Sequence, residues 1–485
     1  MKKLSFININ KIWLFAILVI LTSVLYSCKK NFLDVDPQGE EEAGQFFTTE
    51  QDAIQSVTSI YGNLNTWEEC GFPWLAIMSI PSDDADKGSS PGDAGFLDEF
   101  DNFTMSPTQF LIDLFWKGQY AGINLSNQCI QNIPAIPMNE GLKNRLIAEA
   151  KFLRAYHYFN LVRAFGDVPR VIKIPETETE LNPFRVSKNE IYLLIEQDLT
   201  EAAANLPLSY SGSDVGRATS GSAIAMLTKV NMYQKNWGAA VSNAERVINA
   251  GYTLVNDYQQ IYRLENNSES IFEVQTEDDV RCGLTDNWTN IQAVRGQWGW
   301  GFNTPSEDLN NAYEAGDTRR EGTILYKGET TPQGDKVTDF ASNPRYNQKA
   351  YQPTSIPITC GADPKEVNRK VLRLGEIYLI HAEACNETSQ PDKALISLNL
   401  VRARAGLGSV TNKNQNQLRD IIWNERRVEM AMEEDRFFDL VRQGRAGTVL
   451  RAAGKQFVDG KNEVFPIPQN QITLSGGRLT QNPGY

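Results

Sequence analysis

Few residues in this chain offer obvious chemistry. Its 485 residues include two histidines, His157 and His381, the side chain best suited to proton transfer near neutral pH. Both fall on apolar helical faces: His157 with Leu153 and Leu161, His381 with Leu374, Ile377 and Tyr378. A packed, hydrogen-bonded imidazole is the better reading of each. His381-Ala382-Glu383-Ala384 is not an H-E-x-x-H motif, so zinc-protease chemistry has no support. Gly88-Ser89-Ser90-Pro91-Gly92 matches G-x-S-x-G, but a nucleophile elbow needs a buried strand before its serine and a helix after it. Here the surroundings are acidic and loop-like, and turn chemistry explains the match. No G-K-[ST] phosphate loop occurs, and Gly296-Gln297-Trp298-Gly299-Trp300-Gly301 has the wrong glycine order for a dinucleotide fingerprint. Asp83, Asp84, Asp86 and Asp93 could pool oxygen ligands for calcium, yet their spacing is not that of an EF-hand. A solvated acidic loop is favoured, and neither a metal nor a cofactor is expected.

The tryptophans carry more weight. Trp67 and Trp74 lie in one non-periodic stretch; Trp288, Trp298 and Trp300, with Phe302, lie in another. An exposed indole offers an apolar plate to the C–H face of a sugar ring. The bland alternative is that these side chains pack loops onto a scaffold. With Asp83 and Asp84 as polar neighbours, Trp67, Trp74, Trp288, Trp298 and Trp300 form the candidate ligand-binding set, and Trp298 and Trp300 are the first to test. Paired carboxylates for glycoside hydrolysis leave no local motif and stay open at this point.

These residues need elements to position them, and helical periodicity supplies most of those. Ala148 to Arg163 places Ala150, Leu153, His157 and Leu161 on one face, and Gly166-Asp167-Val168-Pro169 stops it. Lys188 to Leu206 gives a second helix. Ser220 to Gln234 with Trp237 to Ala250, and Leu372 to Glu387 with Pro391 to Ala405, read as two helix pairs. Thr228 and Ala240 in the first pair are spaced as Ala382 and Ala394 are in the second, in the manner of a tetratricopeptide repeat. A charged helix is expected from about Gln415 to Arg442. The fold class is therefore mainly α: a tetratricopeptide-like scaffold with long irregular loop insertions at about 60–101 and 278–361, not a regular solenoid. Loops this long tend to be functional.

Composition and the N-terminus limit the setting. Hydrophobic residues at 41% and charged residues at 22% describe a globular body with ample core. A net charge of −13 with no basic run excludes a general nucleic-acid binder. Lys2, Lys3 and Lys11 precede an apolar stretch, Ile12 to Leu25, which is too short to span a bilayer and reads as a signal-peptide core. Leu25-Tyr26-Ser27-Cys28 resembles a lipobox. Residues 1–27 would then be removed and Cys28 acylated, with 28–42 as a tether and 43–485 as the helical body. The remaining cysteines, Cys70, Cys129, Cys282, Cys360 and Cys385, are odd in number and without C-x-x-C, which argues against a disulfide framework or a zinc site.

Several segments now combine. Phe32-Leu33-Asp34 follows Cys28; then come Ala148 to Val171, Gly216-Arg217-Ala218-Thr219, Val371 to Ala384, Asn424 to Arg445, Phe465-Pro466-Ile467-Pro468 and Gln481-Asn482-Pro483-Gly484-Tyr485. In this order, over nearly the whole chain, they resemble the SusD/RagB family of nutrient-binding lipoproteins of Bacteroidota. The resemblance implies a single domain over 28–485, lipid-anchored on the outer membrane and facing outside. It further implies a non-catalytic role: holding an oligosaccharide or glycan over a SusC-like TonB-dependent transporter. Glu425, Arg426, Arg427 and Glu429, with Glu433 to Arg436, are expected to form ion pairs securing the last helix. No ligand residue carries over by motif. Two other readings compete: a lipid-anchored glycoside hydrolase, which would release new reducing ends, and a protein-only helical scaffold, which would bury its tryptophans.

Overall fold

The computed structural model describes residues 47–276, 287–355 and 367–485. Cys28, the signal segment and the tether, like Cys282 and Cys360, lie outside the described residues. Its main helices are α1 (Glu50–Asn63), α2 (Trp67–Cys70), α3 (Phe72–Met78), α4 (Phe110–Asn132), α5 (Glu140–Phe165), α6 (Lys188–Asn205), α7 (Ser220–Tyr233), α8 (Trp237–Ile248), α9 (Asn287–Gln292), α10 (Leu374–Glu387), α11 (Pro391–Arg404), α12 (Gln415–Glu429) and α13 (Arg436–Arg442). Several starts are written in the chain itself. Asn139 and Ser187 accept from backbone N–H groups in the first turns of α5 and α6. Thr219 with Ser222, and Asn414 with Gln417, form reciprocal capping boxes on α7 and α12. Gly166, at φ +72°, ends α5 where a side chain would be strained.

The helices stack as successive neighbours: α4 on α5, α5 on α6, α6 on α7, α7 on α8, α8 on α10, and α10 on both α11 and α12. Each buries its apolar face against the next, as in a repeat protein. The two expected helix pairs therefore touch directly, and Thr228, Ala240, Ala382 and Ala394 are all fully buried. The long stretch between α8 and α10 is looped out of the stack. Two antiparallel strands, Ser270–Val274 and Arg369–Arg373, close its neck by pairing with each other.

Three expectations need correction. α5 is not one-faced: from Leu146 onward nearly every side chain is buried, because α4 and α6 cover opposite sides. The 60–101 stretch contains α2, α3 and the end of α1. Pro73 sits in the first turn of α3, where its missing N–H costs nothing, and Phe72 to Met78 is buried all round, so no periodicity marks it. The final helix is two, α12 and α13, broken where Met432 (φ +62°) and Glu434 (φ +72°) enter the left-handed region.

The ion pairs around that break reach beyond the last helices. Glu429 accepts from Arg373 (2.5 Å), Arg319 (3.1 Å) and Arg404. Glu425 pairs with Arg319 and Arg402, and Glu433 with Arg373 and Lys349. Arg319, Lys349 and Arg373 belong to the looped-out stretch, so the cluster binds the insertion to the scaffold.

Both histidines are packed inside. His157 Nδ1 lies 3.0 Å from Gln119 Oε1 and 3.6 Å from Glu69. Burial pushes Glu69 up to about 8 and His157 down to about 3, so near neutral pH they meet as a carboxylic acid and a neutral imidazole. The ring needs Gly122 opposite it on α4: a Cβ there would stand 2.1 Å from His157 Nε2. Gly122→Ala is expected to cost about 1–3 kcal/mol through this overlap. A thermal melt checks it; a melting temperature at or above wild type would show that α4 and α5 have room to part.

Candidate functional site

A strand pairing assembles the site. β1 (Ala85–Gly88), in the first inserted loop, runs antiparallel to β2 (Phe302–Pro305), in the second, with Asp86 opposite Thr304 and Gly88 opposite Phe302. Gly88 has φ +75°, and a Cβ there would meet the Gly301 carbonyl at 2.6 Å, so only glycine lets the loops come this close. Residues more than two hundred positions apart thereby share one surface.

Its floor is aromatic. Trp67 starts α2 and Phe72 starts α3, with ring centroids 5.4 Å apart. Trp300 completes the group at 6.4 Å from Trp67 and 5.8 Å from Phe72, tilted by 53° and 52°. Phe302 backs Phe72 edge-on at 4.9 Å, and Phe96 and Phe110 continue the row outward. Trp300 is 41% exposed, so part of its ring faces solvent over this floor.

One edge of the floor is polar. Arg295 donates to Asp93 Oδ2 at 2.8 Å and to Ser89 Oγ at 2.9 Å, while Ser89 Oγ lies 2.9 Å from both Asp93 and the Trp300 carbonyl. Arg295 and Asp93 remain about a third exposed, with donors and acceptors to spare. The hydrogen bonds from Arg295 and then Ser89 hold the Asp93 carboxyl below its ordinary range, so it is charged at neutral pH. Phe72, Phe96, Trp300 and Phe302, with Ser89, Asp93 and Arg295, line a groove of about 490 Å³; Trp67 stands behind it, against Phe72 and Trp300. An apolar floor with fixed polar groups at its edge matches a sugar, which has C–H faces and hydroxyl rims.

The structure brings together two members of the expected ligand set, Trp67 and Trp300. Trp74 and Trp288 are corrected to the interior. They are 3% and 2% exposed, and both indoles donate to the carboxylate of Glu434, Trp74 at 2.5 Å. Arg369 reaches the same carboxylate at 3.4 Å and lies over the Trp74 ring. Three donors thus converge on the carboxylate of Glu434, a residue whose backbone is in the left-handed region. Asp83 and Asp84 are likewise buried, not in a solvated loop. Arg436 grips Asp83 with two hydrogen bonds of 2.8 Å, and Arg427 reaches Asp83 at 2.9 Å and Asp84 at 2.7 Å. Among the described residues, no cluster of His, Cys, Asp and Glu is arranged to hold a metal ion. Trp298 is half-buried against Tyr351, with rings 5.1 Å apart, and supports the Trp300 loop from behind. Sequence reasoning missed Phe72, Phe96, Arg295 and Ser89 as site residues, and weighed Asp93 only for calcium. None of these has a local signature; the one available clue was that both long insertions carry unpatterned aromatics.

The helical stack thus presents a loop-built aromatic groove with a polar edge, a surface whose chemistry suits a sugar. Comparison with known proteins agrees. Residues 268–485 match the family described as SusD family, and residues 31–232 match one described as starch-binding associating with outer membrane. SusD-like protein P2 of Formosa agariphila is 28% identical over 96% of this chain and 98% of its own length. A solved laminarin binding SusD-like protein is 30% identical with a TM-score of 0.80, covering 90% of this chain and 100% of that one. Surface glycan-binding protein A from Bacteroides fluxus is 25% identical with a TM-score of 0.76, covering 90% and 100%. The chain belongs to the SusD family, and the two solved relatives just named are described as laminarin binding and surface glycan-binding.

Proposed function

We propose that the protein is a non-catalytic oligosaccharide receptor of the outer membrane, moored through an acylated Cys28 once residues 1–27 are removed. It faces outward and passes its ligand to a SusC-like TonB-dependent transporter. The observation that carries the binding role is the Phe72–Trp300 floor, backed by Trp67 and edged by Arg295 and Asp93. The tilt of more than 50° between Trp300 and its two neighbours favours a curved chain over a flat ribbon. Laminarin, which the relative at 30% identity is described as binding, is the ligand proposed. The groove also speaks against the hydrolase reading. Asp93 is the one carboxylate among its described lining residues, whereas glycoside hydrolysis takes two flanking the scissile bond.

Calorimetric titration with laminarihexaose, paired with a reducing-end assay on laminarin, tests both halves. Saturable binding without new reducing ends is expected. Turnover that persists through stringent purification would defeat the receptor reading. The pH dependence follows from Asp93. Its carboxyl sits below the ordinary aspartate value of 3.8, so its charged form is complete above that range and is lost only as pH falls through the lowered value. Affinity should thus change by less than about twofold between pH 5 and 8. A marked loss already at pH 5 would remove Asp93 and Arg295 from the binding edge.

A further inference from the structure

Phe340 is 93% exposed, although its loop is firmly held. Val337 and Ala341 on either side are sunk in the cluster of Val294, Leu325, Tyr346 and Tyr351. The Gln297 side chain donates to the Lys336 carbonyl (2.7 Å) and accepts from the Thr338 N–H (3.0 Å). With both flanks anchored inward, Phe340 is left pointing out by the loop's own geometry.

The same loop borders the aromatic groove. Ser342 Oγ lies 3.4 Å from Ser90 Oγ, and Asn343 Nδ2 donates to the Gly301 carbonyl at 3.4 Å. Ser90 and Gly301 are the chain neighbours of Ser89 and Trp300, which line the groove. Phe340 precedes Ser342 by two residues, so their Cα atoms are at most about 7 Å apart. Its loop therefore runs beside the groove, next to the Ser89 and Trp300 segments that line it.

We infer that Phe340 is an outer aromatic contact that extends the groove, so that the protein discriminates oligosaccharides by length. The inference rests on the glycan-binding reading of the Trp300 groove. Laminarihexaose and laminaritriose are titrated against wild type, Phe340→Ala, Phe340→Tyr and Trp300→Ala, with a thermal melt of each. Phe340→Ala should weaken laminarihexaose roughly three- to tenfold, the range of one aromatic contact. It should leave laminaritriose and the melting temperature unchanged, and Phe340→Tyr should bind as wild type. Trp300→Ala should weaken both sugars. Wild-type affinity for laminarihexaose in Phe340→Ala overturns the inference while leaving the groove intact, as does an equal loss on both sugars. Unchanged binding in Trp300→Ala, or no binding of laminarihexaose by wild type, overturns the groove reading and the inference with it.

Discussion

Trp300→Ala is expected to weaken laminarihexaose binding at least about 30-fold, since truncating a central interface tryptophan typically costs 2 kcal/mol or more. The indole is 41% exposed over a floor it shares with Trp67 and Phe72. Its loss removes the stacking plate and opens the sides of the two remaining rings to water. The melting temperature should fall less than in Trp74→Ala, because Trp300 is 41% exposed and Trp74 3%. Binding and stability thus separate in this variant, which distinguishes a ligand-contacting tryptophan from a packing one. Trp74→Ala should do the reverse, since it leaves a cavity and strips Glu434 of a donor. Full affinity in Trp300→Ala would move the site off this groove.

Glu429→Ala should be the most destabilising single change around the α12–α13 break. Burial alone would raise its carboxyl, but Arg404, Arg373 and Arg319 hold it well below the ordinary glutamate range. These arginines are themselves at most 4% exposed at the side chain, so removing their shared acceptor leaves positive charge uncompensated in the interior. A loss of about 3–5 kcal/mol is expected, roughly 3–6 °C in melting temperature for a unit of this size. The linkage has a definite sign. A carboxyl with a depressed folded value stabilises above its unfolded value of 4.5 and loses that contribution as pH falls through the folded value. The stability gap between wild type and Glu429→Ala should therefore be full above about pH 5 and narrow as pH falls below 4.5. A variant that melts and titrates like wild type would show that Glu425, Glu433 and Glu269 suffice without it.

The scaffold was largely legible because a helix in a stack declares itself locally. Capping residues, a 3.6-residue period and small side chains at close crossings are properties of neighbours in sequence, and they marked α6, α7, α8, α10 and α11 to within a few residues. The ion pairs around Glu429 were also foreseeable, since charges that recur on one helix need partners. Where the signal failed, the cause was burial on all sides: α3 and much of α5 have no polar face to mark a period, and the α12–α13 break hides in a charged run.

The groove is another matter. By itself the sequence determined a helical stack, two long aromatic-bearing insertions and the family the chain resembles. It did not decide which tryptophans meet a ligand. Trp74 and Trp288 look no different from Trp67 and Trp300 along the chain, yet one pair is tied down by Glu434, far away in sequence, and the other meets at the groove, lined by Trp300 and backed by Trp67. That choice is made by the β1–β2 pairing, the close approach at Gly88 and the arginines that draw Asp83 and Asp84 inward. All are contacts between distant segments, whose energies depend on the assembled packing rather than on any local pattern of residues.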